Sequence, residues 1–129
     1  MALVKNSGGR SDALSITSIT TSETSVAAVL RGTTGLVGPI AITGIIVTND
    51  VGSGGTFTIR GYSDASKTIQ LFEWSADLTT GADDWNSTQF PQPRPLGRAE
   101  GLNVTAEVAS GSGHGVDVWI EYIDMDVVV

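Results

Sequence analysis

The residues with the most chemical potential lie in one irregular stretch, where Asp83 and Asp84 directly precede Trp85. Two carboxylates beside an aromatic ring are the residue types that hydrolyse glycosidic bonds. That reaction needs carboxyl groups about 5–9 Å apart on either side of a cleft. Adjacent residues on a Gly-Ala-Asp-Asp turn do not supply this geometry, and aspartate is common in turns. We therefore interpret the pair as a solvated acidic turn and predict that the protein is not an enzyme.

A third carboxylate, Asp77, belongs to the same stretch, and oxygen ligands of this kind bind calcium ions. The positions 77, 83 and 84 do not have the spacing of an EF-hand loop. We predict no cofactor and no metal. Calcium binding is the minor alternative, and a thermal melt in millimolar calcium would test it.

Histidine occurs once, as His114 between two glycines. Metal centres usually need several nitrogen or sulfur ligands, and nucleophilic catalysis needs a serine or cysteine beside the histidine base. The chain contains no cysteine, which also excludes disulfides. We predict that His114 lies in an ordinary hairpin turn.

The glycine-rich segment NDVGSGG, residues 49–55, has the composition of a phosphate-binding loop. Such a loop needs a helix after it, whose N-terminus meets the anion. A strand pattern, GTFTIRGY, follows instead, and no Gly-Lys-Ser/Thr is present. The segment is predicted to be a connecting loop.

Tryptophan occurs three times, as Trp74, Trp85 and Trp119. Aromatic rings can stack on a sugar, but they also dominate packing in cores and at interfaces. We interpret Trp74 and Trp119 as core or interface residues. The long stretch around Trp85 is a candidate partner-binding loop, formed by Asp83, Asp84, Trp85, Phe90 and Pro93.

The strand near the C-terminus has two distinct faces. Every second residue is apolar from Val116 to Tyr122, which predicts a half-buried β-strand with one face on the core. The alternate positions mix acids with large apolar side chains: Asp117, Trp119, Glu121 and Ile123. This composition favours contact with a neighbouring strand or another subunit.

The segment Pro39 to Asn49 is the most apolar strand of the chain. Strict alternation puts Ile42 and Ile46 on one face and Ile45 and Val47 on the other, while Gly44 suggests a bulge or a close backbone approach. Strands that are apolar on both faces lie centrally in a sheet or at an interface. We assign Ile45 and Val47, with Trp119 and Ile123, to an oligomer interface.

The whole pattern is all-β, since no stretch has sustained helical periodicity and Gly- and Ser-rich turns separate the strands. We predict a flexible arm over residues 1–12 and a single β-sandwich domain over residues 13–129. The stretch Ser75 to Arg98 is predicted to be a long irregular segment. Its prolines keep it extended, and Thr88 to Phe90 could add a short edge strand.

The charge is acidic, with a net value of −7 and a pI of about 4.3. An acidic surface repels phosphate backbones and anionic lipids, so we expect no nucleic-acid and no membrane partner. Charged residues make up 16% of the chain, against about 25% in average soluble proteins. This low share predicts that part of the surface is covered in an assembly.

Three segments, ITGIIVTNDVGSGGTFTIRG, PQPRPLGRAEGLNVTAEV and GVDVWIEYI, resemble the small jelly-roll proteins of tailed-bacteriophage virions. These include capsid decoration (cement) proteins and related knob or fibre-head domains. The resemblance covers residues 13–123 in strand length, Gly-rich hairpins and the late Pro-rich segment. It implies a jelly-roll sandwich of about seven or eight antiparallel strands.

In function, the resemblance implies a homotrimer that binds and strengthens a shell of major capsid protein. The protein would then be made in the host cytoplasm and lie on the capsid surface of the virion. The resemblance implies no particular site residues. The alternative is a receptor- or carbohydrate-binding domain at a fibre tip, in which Trp85 and its neighbouring aspartates line the site.

Overall fold

The computed structural model describes residues 3–4, 10–20, 23–27, 40–51, 54–78, 84–96, 102–109, 113–124 and 127–128. Within these ranges every regular element is a β-strand, so the predicted all-β class is confirmed. The strands are β1 (Leu3–Val4), β2 (Arg10–Ile19), β3 (Thr24–Ala27), β4 (Ile40–Val51), β5 (Gly55–Tyr62), β6 (Gln70–Leu78), β7 (Trp85–Leu96), β8 (Asn103–Val108), β9 (His114–Asp124) and β10 (Val127–Val128). Over the same ranges, no helix of the length and apolarity that a bilayer crossing requires is found.

The eight longer strands form two four-stranded sheets, and every pairing is antiparallel. Sheet 1 has the order β2-β9-β4-β7, and sheet 2 has the order β3-β8-β5-β6. Apart from the β5–β6 hairpin, each connection from β2 to β9 crosses from one sheet to the other. Eight antiparallel strands in two sheets with this connectivity form a jelly roll, which confirms the predicted architecture.

The core lies between the two sheets and is filled by alternate side chains of each strand. On β9 the predicted core residues are all buried, from Val116 at 0% exposure to Tyr122 at 2%. Sheet 2 faces them with Phe57 and Ile59 of β5, which are also fully buried. Apolar residues at every second position of the sequence therefore identify the core-facing side chains of β9 and β5 correctly.

Strand β4 requires a correction to the predicted oligomer interface. Ile42 faces the core, and the register then shifts between Ile42 and Gly44 against both neighbouring strands. The extra residue returns the following positions to the core side, so Ile45 and Val47 are also fully buried. Their assignment to an outer interface is wrong, because strict alternation was carried through the bulge. Ile46 is the residue that faces outward.

The stretch predicted to be irregular between Ser75 and Arg98 is mostly strand. Strand β6 continues to Leu78, and β7 forms the edge of sheet 1 beside β4. The predicted short edge strand at 88–90 is therefore part of a longer one. Its pairing to β4 jumps from Gln89 to Arg94. The jump skips two prolines, which have no N–H to donate to a ladder and are tolerated at edges and bulges.

The ends of the chain also differ from the prediction in the residues that are described. Leu3–Val4 pairs with Val127–Val128, and β2 already begins at Arg10. Part of the segment predicted to be a flexible arm is therefore paired strand. The short β1–β10 pair is separate from both four-stranded sheets.

Candidate functional site

The outer surface of sheet 1 collects large apolar side chains that the core does not use. Antiparallel pairing places directly opposite residues on the same face of a sheet. Trp119 of β9 is opposite Ile46 of β4, and Trp85 of β7 is opposite Thr48 of β4. We call this surface the tryptophan face and define it by Ile46, Trp85, Asp117, Trp119, Glu121 and Ile123.

The two indoles of this face lie on the same side of sheet 1 although they are far apart in the sequence. Trp85 is two strands away from Trp119, which corresponds to about 10 Å across the sheet. Trp85 is 61% exposed, whereas Trp119, Ile46 and Ile123 are half-buried. The predicted interface residues Trp119 and Ile123 thus share one surface with Trp85, which the sequence had assigned to a separate loop.

Polar side chains hold the acids of the tryptophan face in place. The Ser15 hydroxyl donates to Asp117 Oδ1 at 2.5 Å, and Gln89 Nε2 donates to Glu121 Oε1 at 2.6 Å. The second bond crosses β4 at Gly44. A Cβ at Gly44 would lie 2.7 Å from Glu121 Oε1 and 2.7 Å from the Thr88 carbonyl oxygen. The close approach that the sequence suggested at Gly44 is therefore present, because the hydrogen-bonded side chains of Gln89 and Glu121 lie directly over this glycine.

The outer surface of sheet 2 has a different character, because one guanidinium joins several carboxylates there. Arg60 Nη1 lies 3.3 Å from Glu23 Oε1 and 3.1 Å from Glu107 Oε2, and its Nη2 lies 3.2 Å from Glu73 Oε1. Lys67 Nζ lies 3.8 Å from the other Glu23 oxygen. These contacts link β5, β6, β8 and the residue before β3. Both described cations on this side of the molecule, Arg60 and Lys67, are therefore paired with carboxylates of the same chain.

Hydrogen bonds complete this Arg60 network around Glu23. Thr105 Oγ1 donates to Glu23 Oε1 at 2.6 Å, and the Tyr62 hydroxyl donates to the same oxygen at 3.3 Å. Burial alone raises the pKa of Glu23, but the Thr105 hydroxyl, Lys67 and Arg60 together lower that pKa below its usual value. Burial and the nearby Glu23 charge raise the pKa of Tyr62. The network therefore favours an ionised Glu23 and a neutral Tyr62.

The residues of the predicted partner-binding loop lie in different surroundings in the structure. Pro93 is exposed on β7, but Phe90 packs against the core, with its ring centroid 5.6 Å from that of Phe72. Asp84 supports the start of β7, because its carbonyl oxygen accepts the Asn49 N–H at 2.8 Å and its Oδ1 accepts the Trp85 N–H at 2.9 Å. Asp83 lies outside the described residues.

Two further candidate residues from the sequence, His114 and Trp74, pack against other side chains of the chain. His114 is not in an exposed turn: it begins β9, is 3% exposed, and packs edge-to-face on Phe57 with ring centroids 5.6 Å apart. Trp74 packs against the core from β6, as the interpretation of it as a core or interface residue allowed. In the part of the chain that the structure describes, no group of three or more His, Asp or Glu side chains could hold a metal ion.

Sequence reasoning missed Ile46 and the Arg60 network. The signal for Ile46 was available, since the bulge suggested at Gly44 reverses the faces of all later residues of β4. The Arg60 network had no comparable signal. Its acids come from positions 23, 73 and 107, and only the strand order of sheet 2 brings them together.

No protein-family model matches the chain, and no curated protein matches it. Among solved structures, the chain is similar to VP2 of infectious bursal disease virus in a subviral particle, with 14% identity and a TM-score of 0.37. That alignment covers 92% of this chain and 33% of VP2. A second similarity is to the T13 viral particle of the same virus, with 12% identity, a TM-score of 0.39, and coverage of 92% and 32%.

The chain thus spans about a third of the length of these two structures. Similarity at this level does not assign a function to the chain. The jelly-roll architecture rests on the strand order of sheets 1 and 2, and jelly rolls occur in viral capsid proteins, lectins and cupins alike.

Proposed function

We propose that the protein is a structural virion component, a trimeric decoration protein that binds and stabilises a phage capsid shell. The tryptophan face is the observation that carries this proposal. The jelly roll has a complete core between its sheets, yet Trp85, Trp119 and Ile46 remain on the outside of sheet 1. Apolar side chains grouped on an outer surface mark contact sites with other proteins.

The energetics favour burial of this face in a complex. An indole buries about 150–250 Å² of surface, and apolar burial contributes about 25 cal/mol per Å². Covering the remaining exposed area of the two indoles would therefore contribute on the order of a few kcal/mol, which is enough to matter for binding. The low content of charged residues, 16%, fits a subunit that is partly covered.

The sequence led us to expect Trp119 and Ile123 at an oligomer interface. Because they share one face with the exposed Trp85, we propose instead that these two residues form the centre of the shell contact, which extends to Trp85. We propose that Asp83, Asp84 and Pro93, near the two ends of β7, contribute at its margin. The trimer is part of the proposal through the resemblance to phage decoration proteins. Edge strands of a sandwich need cover, and closed cyclic symmetry can supply it.

Co-sedimentation with empty shells of the major capsid protein of the same phage tests the proposal. The wild-type chain should pellet with the shells, and Trp119→Ala should weaken binding about tenfold or more, as expected for a tryptophan anchor. Ile69→Ala is the control, because Ile69 is 57% exposed in the β5–β6 turn, away from the tryptophan face. Equal binding by Trp119→Ala and wild type would contradict the proposal.

Carbohydrate recognition is the second candidate, and the 61% exposure of Trp85 favours it. An exposed indole with carboxylate and amide groups on the same face can stack on a sugar ring and bond its hydroxyls. A glycan array should then give hits that Trp85→Ala abolishes. An array without hits, together with shell binding, would exclude carbohydrate recognition and leave decoration as the only remaining role.

A further inference from the structure

We infer that the tryptophan face docks a basic protein surface, one whose lysine or arginine side chains flank an apolar centre. The inference rests on the proposed function, since it specifies the chemistry of the shell contact. Its basis is the charge pattern around Trp119. Asp117 and Glu121 lie two residues before and after Trp119 on β9 and share its face.

The acids of this face are positioned without being neutralised in the contacts that hold them. Asp117 accepts its hydrogen bond from the Ser15 hydroxyl, and Glu121 accepts its bond from the Gln89 amide. Both donors are neutral, so each bond fixes a carboxylate while leaving its charge in place. The face as defined contains two carboxylates and neither lysine nor arginine. An incoming cation would find fixed, preorganised acceptors on both sides of an indole.

A second copy of this chain is a poor partner for the face. Packing two tryptophan faces together would bring carboxylates against carboxylates, which is destabilising. Among the cations whose side chains the structure describes, all three are already engaged and offer little compensation. Arg60 and Lys67 already pair with Glu23 on sheet 2, and Arg94 lies over the Phe90 ring, 5.7 Å from its centroid. A separate basic partner satisfies the charges better.

The apolar part of the face suits the same partner. Guanidinium groups bind well over indole rings, and arginine is enriched in protein interfaces together with tryptophan. The face spans about 10 Å across three strands and about 20 Å along β9. Its planar extent of about 200 Å² is well below the roughly 800 Å² per partner of a standard interface. Binding by one subunit should therefore be weak and salt-sensitive, and several linked subunits would strengthen it.

Shell co-sedimentation at low and high salt tests this inference with amide variants. The double variant Asp117→Asn/Glu121→Gln keeps the shape of the face and removes its two charges. We expect it to bind about tenfold more weakly than wild type at low salt, with a flatter salt dependence. Asp77→Asn removes an exposed acid from sheet 2 and should bind within about twofold of wild type. Unchanged melting temperatures would show that the variants are folded.

The outcomes separate the inference from the proposed function. Wild-type binding that ignores salt and is unaltered by the double variant would overturn the inference and leave the decoration role standing. Tighter binding by the double variant would also overturn it, because the partner would then be acidic. If light scattering shows that Trp119→Ala lowers the mass of the free protein, a second copy occupies the face and the inference fails. Absence of wild-type sedimentation at any salt would remove the proposed function, and this inference with it.

Discussion

At the scale of single residues, Arg60 determines the electrostatics of sheet 2. Its guanidinium contacts three glutamates that come from separate parts of the chain. Glu23 is the most enclosed of the three, with 27% side-chain exposure, and it also accepts the Thr105 hydroxyl. Partly buried, hydrogen-bonded ion pairs of this kind contribute more than isolated surface pairs.

Glu23→Gln tests this network through the pH dependence of stability. The pKa of Glu23 is lowered from its ordinary value of 4.5, so its contribution is present above about pH 4.5 and is lost as the pH falls through the lowered pKa. We expect the variant to be less stable by about 1–2 kcal/mol at neutral pH. Its stability should also fall less than that of wild type between neutral pH and about pH 3. Urea unfolding across this range measures both effects.

Asp77→Asn is the control for the Glu23 experiment, since Asp77 is exposed on the same sheet. It should leave the pH profile of stability close to that of wild type. Asp64 adds a separate acid-sensitive contribution, because hydrogen bonds from Thr68 and the Ile69 backbone lower its pKa. A Glu23→Gln profile parallel to that of wild type would show that Glu23 has no role in the acid response.

At the scale of elements, β4 determines which residues belong to the core and which to the outer surface. Its bulge puts Ile42, Ile45 and Val47 on the same side, although the first two are three positions apart. The sequence predicted a strand here and even suggested a bulge at Gly44. It did not predict the faces correctly, because a single inserted residue inverts every later position.

The paired variants Ile45→Ala and Ile46→Ala test which side chains of β4 face the core after the bulge. Ile45 is fully buried, so its truncation should destabilise the fold by about 2–5 kcal/mol. Ile46 is half-buried on the tryptophan face, and its truncation should cost about 1 kcal/mol or less. Chemical denaturation of both variants gives the comparison. Equal losses of stability, or a larger loss for Ile46→Ala, would mean that Ile45 does not face the core as described.

Gly44→Ala tests how closely the Gln89 and Glu121 side chains and the Thr88 backbone approach β4 at Gly44. A Cβ there would meet the Thr88 backbone oxygen at 2.7 Å, which side-chain rotation cannot relieve. We expect a loss of about 1–3 kcal/mol in stability, since overpacking forces backbone shifts. Gly55→Ala is the matched control, because its nearest contact would be Val108 Cγ2 at an acceptable 3.4 Å. Equal stability of the two variants would contradict the close approach at Gly44.

Strand β7 shows a second limit of local patterns. Prolines at 91, 93 and 95 favoured an irregular segment, yet the chain runs as an edge strand with a break in its ladder. An edge needs hydrogen bonds on one side only, so proline is tolerated there. Whether a segment is an edge depends on the order of the strands in the sheet, which its own sequence does not encode.

At the scale of the whole molecule, the two outer surfaces of the sandwich have different properties. On the side of sheet 2, Arg60 and Lys67 pair with glutamates of the same chain. Sheet 1 presents indoles and two carboxylates, Asp117 and Glu121, which accept hydrogen bonds from the neutral side chains of Ser15 and Gln89. Alternation of apolar residues was sufficient to predict the sandwich and the core face of β9. The tryptophan face was only partly predictable. Trp85 and Trp119 share one face because β7 and β9 both flank β4, a tertiary relation without a local signal.

Footprinting with hydroxyl radicals tests most directly the claim that a larger particle covers the tryptophan face. Oxidation of Trp85 and Trp119 would be measured by mass spectrometry in the free protein and on capsid shells, with Trp74 of sheet 2 as the internal reference. We predict that binding reduces oxidation of Trp85 and Trp119 severalfold and leaves Trp74 unchanged. Equal oxidation of Trp85 and Trp119 in both states, with the chain demonstrably bound, would contradict the assembly role of this face.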